Sequence, residues 1–242
     1  MWERLPRMTR LAPLLLALVP ATADANAACA GEMGWSPSDT IAPHGSVLFW
    51  VDRRATDAVW NPATPHATID GADVPITATP FLSGPFRMLL VRVDSDKTGT
   101  LALTFDKGIP YVGKPNATFT VRKDAPGRIA KSATATVTHF HREIRHTTVE
   151  ETYDGLALHV DVDALWLTVK YRRDADAAQQ TIDVPIVTRA ETALAAPGAL
   201  LGRLGCVSTI EPAMLAAGLD VEVTAHLANG DTVPVAIDHL KL

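Results

Sequence analysis

Apolar and polar residues alternate with period two through most of this chain, and the three-to-four spacing of an amphipathic helix is scarce. Successive side chains leave a strand on opposite faces, so alternation of this kind demands strands with one buried side. In the N-terminal half, SVLFWVD (46–52), FRMLLVRV (86–93), TLALTF (100–105) and NATFTVRK (116–123) read as strands. HATIDGADVPI (66–76) reads as two short strands around an Asp70-Gly71 turn. The C-terminal half has the same character in SATATVTHF (132–140), LALHVDV (156–162), ALWLTVKYRR (164–173) and TIDVPIV (181–187). DADAAQQ (174–180) suits a polar hairpin loop, and 218–227 with 231–237 forms a second hairpin whose Asn229-Gly230 predicts a type I′ turn. One short helix is expected at 211–218, with Gly218 as its stop.

The N-terminus reads as an export signal. Arg4, Arg7 and Arg10 precede the apolar run LAPLLLALV, and Ala25-Asn26-Ala27 fits a small-x-small cleavage rule. Residues 1–27 are therefore expected to be removed before Ala28, with Ala21-Thr22-Ala23 as a second site. The run is too short to span a bilayer, and nothing later reaches that length. The chain is expected to be secreted, periplasmic or surface-exposed. Cys29 raises a lipid anchor as an alternative, although Asn26 occupies the place where a lipoprotein signal wants a leucine-like residue. Two cysteines in an exported chain favour one disulfide, Cys29–Cys206. A formal net charge of −5 without a basic block makes nucleic acid and anionic membranes poor partners.

Turn formers and charge in Lys123-Asp124-Ala125-Pro126-Gly127 mark a linker. The expected organisation is a signal peptide (1–27), a first β-sandwich (28–124) and a second (125–242). Short strands at regular spacing, punctuated by Pro and Gly, resemble the immunoglobulin-like and fibronectin type III-like sandwiches of secreted bacterial proteins. That resemblance implies an all-β fold of two tandem modules and a role in adhesion, spacing or ligand presentation.

One stretch speaks for chemistry. VDSDKTGTL (93–101) contains DKTGTL, similar to the phosphorylation motif of P-type ATPases, within a DxDxT frame that resembles the first motif of haloacid-dehalogenase-type phosphotransferases. The resemblance implies Asp94 or Asp96 as phosphoryl acceptor. Such chemistry needs Mg²⁺ ligands, a neutralising cation and crossover helices between parallel strands. The residues that follow spell another strand, and no downstream acidic motif appears. A calcium loop fails too, because Phe105 stands where its last carboxylate belongs. A plain hairpin is the expectation, its two flanking strands pairing directly as antiparallel neighbours, with Gly99 free to take positive φ and Leu89, Val91 and Val93 facing a core across from Leu101, Leu103 and Phe105.

The second chemical signal is histidine. In VTHFHREIRH (137–146), His139, His141 and Glu143 share one strand face, and LALHVDV offers His159 and Asp161. If these strands are antiparallel neighbours, His139, His141 and His159 are candidate ligands for a transition metal, with Asp161 nearby. A solvated sheet face accounts for the same residues. His44, His66, His226 and His239 stand isolated in the sequence. The function expected is non-catalytic, without a cofactor: binding or spacing another envelope or extracellular protein or a glycan. The alternative is a metal-binding protein or metal-dependent enzyme.

Overall fold

The computed structural model describes residues 33–36, 39–52, 64–108, 114–125, 131–145, 150–173, 177–187, 196–205, 207–237 and 239–242. The expected signal peptide, Cys29 and Cys206 all lie outside them. In the N-terminal part the strands are β1 (Met33–Ser36), β2 (Thr40–Ile41), β3 (Ser46–Asp52), β4 (His66–Ile69), β5 (Ala72–Asp73), β6 (Ile76–Ser83), β7 (Phe86–Val93), β8 (Gly99–Thr104) and β9 (Ala117–Val121). The C-terminal part holds β10 (Ala133–Arg145), β11 (Glu150–Val160), β12 (Ala164–Arg172), β13 (Gln180–Val187), β14 (Gly198–Leu204), β15 (Val207–Ser208), helix α1 (Pro212–Ala217), β16 (Leu219–Leu227), β17 (Thr232–Ala236) and β18 (His239–Leu240).

The N-terminal strands form two sheets, in the orders β1-β3-β7-β6 and β2-β9-β8-β4-β5. One buried cluster joins them: Val47, Phe49, Leu89 and Val91 come from the first sheet, and Ile69, Leu101, Leu103 and Phe119 from the second. Trp35 closes one end of this core, with its ring 5.1 Å from Phe49 and 5.6 Å from Phe119.

The motif loop is not the expected hairpin. Strands β7 and β8, which flank residues 94–98, do not pair. They lie in different sheets, so the loop is an arch across the core. The facing of Leu89, Val91 and Val93 toward Leu101, Leu103 and Phe105 across that core is as expected. Gly99 takes φ +136° beside the Asp70 carboxylate, where a Cβ would lie 2.1 Å from Oδ2. The same carboxylate accepts the Thr100 amide at 2.9 Å.

The C-terminal half is not a sandwich. Its strands follow the order β11-β10-β17-β16-β12-β13-β14, and β14 pairs back onto β11, which closes a seven-stranded barrel. All neighbours are antiparallel except β10 and β17. Period-two alternation is common to sandwiches and barrels; closure depends on which edges meet, and β14 supplies that edge. Its sequence GALLGRL carries no alternation, because six of its seven residues are buried. Register places Val184, Leu167, Ala225 and Val233 in one row, with Ile182, Val169, Val223, Val235 and Ala133 in the next. All nine are at most 5% exposed, so these rows fill the barrel interior. The 228–231 connection also differs from a type I′ turn: Gly230 takes positive φ and Asn229 does not. It closes with the Leu227 amide donating to the Asp231 carbonyl at 2.9 Å, which accommodates four residues instead of two.

All seven residues of β3 are buried, and the architecture gives the reason. Val47, Phe49 and Val51 face the two-sheet core. Leu48 and Trp50, with Phe86 and Met88 from β7, belong to the same buried cluster as the barrel. The first sheet is thus a middle layer with apolar groups on both faces.

Candidate functional site

The outer face of the barrel carries the complementary rows to its interior. Asp183, Thr168, Thr224 and Pro234 form one row across β13, β12, β16 and β17; Pro185, Trp166, His226 and Thr232 form the next. The N-terminal part docks against this face. The Phe81 ring lies 5.7 Å from Trp166, and the Asp183 amide donates to Ser83 Oγ at 2.6 Å. Ser36 Oγ donates to the Ile186 carbonyl, and the Ser46 amide donates to the Ala228 carbonyl at 2.7 Å.

Within this seam lies a polar relay. Thr168 Oγ1 is 2.5 Å from Asp183 Oδ1 and 2.7 Å from His226 Nε2. The threonine hydroxyl has one proton, which goes to the carboxylate, so Nε2–H of His226 donates to the threonine oxygen. The His226 ring stacks on Trp166 at 4.2 Å and 9°. Burial pushes the imidazole below the ordinary histidine range, while the Asp183 charge pulls the other way. Sequence reasoning passed over His226 as isolated. Its one signal was that Trp166, Thr168, Thr224 and His226 all occupy non-core positions of their strands.

The expected metal residues separate into two places. His139 Nε2 and His141 Nδ1 both approach Asp154 Oδ1, at 3.2 and 3.0 Å, and Glu143 Oε1 is 4.0 Å from His141 Nε2. Both rings are a little over half exposed. Asp154 pairs with His141 on one side and Arg203 on the other, which makes a polar row across β10, β11 and β14. His159 is not in it. Strands β10 and β11 are antiparallel neighbours as expected, but His159 stands opposite Thr136, an even-numbered position of β10, whereas His139 and His141 are odd. Residues directly opposite share a face, so His159 points to the other side of the sheet. Its Nδ1–H donates to the Pro197 carbonyl at 2.9 Å, and Nε2 meets Thr138 Oγ1 at 2.8 Å. With Nδ1–H committed to a carbonyl and Nε2 to a hydroxyl, the neutral ring keeps no lone pair for a metal. Asp161 instead accepts both the amide and hydroxyl of Thr134 at 2.8 Å. Among the described residues no group of three or more His, Cys, Asp or Glu side chains is arranged to hold a metal ion.

Asp94 and Asp96 are both exposed on the arch. Asp94 Oδ2 accepts from Thr77 Oγ1 at 2.9 Å, and Asp94 Oδ1 lies 3.5 Å from Arg92 Nε.

No family model and no curated protein matches the chain. Among solved structures it matches pullulanase type I from Bacillus subtilis str. 168 complexed with maltose, at 9% identity and a TM-score of 0.26. The alignment covers 81% of this chain and 24% of that one, so the chain spans about a quarter of the pullulanase length. The described residues contain no helix long and apolar enough to cross a membrane.

Proposed function

We propose that this is an exported, non-catalytic protein that binds or spaces another component of the cell envelope, either a protein or a glycan. The observation that carries the reading is the apolar continuity between its two parts. Leu48, Trp50, Phe86 and Met88 are each at most 2% exposed and belong to the barrel's own buried cluster. A seam of that kind resists the relative motion expected of units joined only by a linker. The result is a stiff two-part body, which suits presentation or spacing.

The strand order supports an immunoglobulin-like reading of the first module, residues 28–124. Sheets β1-β3-β7-β6 and β2-β9-β8-β4-β5, with β2 parallel to β9, follow the sequence in which such modules divide their strands. Removal of residues 1–27 and a Cys29–Cys206 bridge complete the proposal.

Expression in a bacterial host with an envelope tests it. The mature chain is expected outside the cytoplasm with Ala28 at its N-terminus and without free thiols. A photo-crosslinker at Leu82, 59% exposed on the edge strand β6, is expected to join it to an envelope protein or glycan of its native host. Retention of residues 1–27 in the cytoplasm overturns the reading. So does a Mg²⁺-dependent phosphatase activity that disappears in Asp94→Asn.

A further inference from the structure

We propose that His226 makes the docking of β6 on the barrel acid-labile. The geometry of the relay supplies the argument. In the neutral ring, Nε2–H serves Thr168 and the Thr168 proton serves Asp183, so both hydrogen bonds of the relay have a donor and an acceptor. The remaining nitrogen, Nδ1, makes no hydrogen bond among the described residues. Protonation there creates a donor and a full charge in a half-buried site pressed against the Trp166 ring. Hydrating that charge requires water between the layers. Admitting water lifts Phe81 from Trp166 and Ser83 from the Asp183 amide, because these contacts close the seam over the relay.

The groups that face the ring decide the sign. From β12 come Trp166 and Thr168, from β13 Asp183, from β17 Thr232, and from β6 Phe81 and Ser83. Asp231, next to Thr232, turns its carboxylate to the Asn229 amide. The Asp183 charge and the face of Trp166 both favour an imidazolium. Desolvation opposes them and is the larger effect, so the docked ring binds a proton less readily than an open one. The docked state is therefore fully stable above the ordinary histidine value of 6.5 and loses stability as pH falls below it.

Hydrogen exchange at the Asp183 amide reads the seam directly, because its acceptor is Ser83 Oγ on the other part of the molecule. Protection, corrected for intrinsic exchange, is expected to fall about tenfold between pH 7.5 and pH 5 for each pH unit by which the two pKa values differ. The Val169 amide in the barrel interior keeps its protection. In His226→Gln, which retains a donor toward Thr168 but does not titrate, the Asp183 amide is expected to change less than twofold. Equal protection at both pH values overturns the proposal, as does an equal fall in the variant. Should His226→Gln fail to fold, the wild-type protein alone decides: the loss of protection must begin near 6.5 and level off at the lower pH where the His226 ring signals of the docked protein titrate, and a loss outside that window overturns it.

Discussion

His159 stands directly opposite Thr136 on β10, and this single pairing parts it from His139 and His141. A shift of one residue along the ladder would have brought all three imidazoles to one face. The register instead binds His159 to Thr138 and the Pro197 carbonyl, and leaves the other two rings around Asp154.

The first prediction concerns those histidines. Purified protein dialysed without chelator is expected to hold well under one equivalent of zinc or copper by elemental analysis. His139→Ala and His141→Ala are each expected to cost less than about 1 kcal/mol, because exposed ion pairs contribute little. Denaturation in urea measures the cost; stoichiometric metal lost on His141→Ala would reinstate the metal reading.

The shared apolar layer makes the two parts unfold together. Wild-type protein is expected to show one calorimetric transition. Leu48→Ala and Met88→Ala delete groups with no exposed surface at the junction, so each should cost roughly 2–5 kcal/mol. Either variant is also expected to broaden or split that transition. Two transitions of unchanged position in both proteins would show that the layer couples nothing.

Gly99→Ala tests the arch. The new Cβ meets the Asp70 carboxylate at a φ that L residues rarely adopt. A loss of about 1–3 kcal/mol is expected, partly recovered when Asp70 is also changed to Gly. Asp96→Asn on the same arch is exposed and should alter stability by less than about 0.5 kcal/mol. Chemical denaturation separates the two.

Thr168→Val removes the hydroxyl that joins Asp183 to His226 while preserving shape. Two half-buried polar groups then lose their partner, and a destabilisation of about 1–3 kcal/mol is expected. The His226 ring should titrate at a different pH in the variant, visible in its NMR signals. An unchanged titration would mean that the relay does not act on the ring.

Much of the fold was legible because burial on one face imprints period two on the residues. Strand 46–52 was read with the bounds that β3 has, and the Asp70-Gly71 hairpin and the 211–218 helix stand where their turn and stop residues indicated. Strands β6 and β14 were missed for opposite reasons. ITATPFLS has no buried residue and carries a proline, allowed by its place at a sheet edge. GALLGRL is buried on both sides and so loses its alternation. The candidate site was less legible: His139 and His141 share a face as read, whereas His226 became a member of a relay only through pairings with β12.

Local sequence by itself determined that this chain makes strands, where most of them run and which residues of each turn inward, because those properties depend on neighbours one or two positions away. Tertiary structure alone decided that β7 and β8 part into separate sheets, that β14 meets β11 to close a barrel, and that His226 rather than His159 enters a coupled polar group. Each of those outcomes depends on register and edge pairing between segments distant in the chain. Alternating residues satisfy many such pairings equally well until whole layers pack and select one.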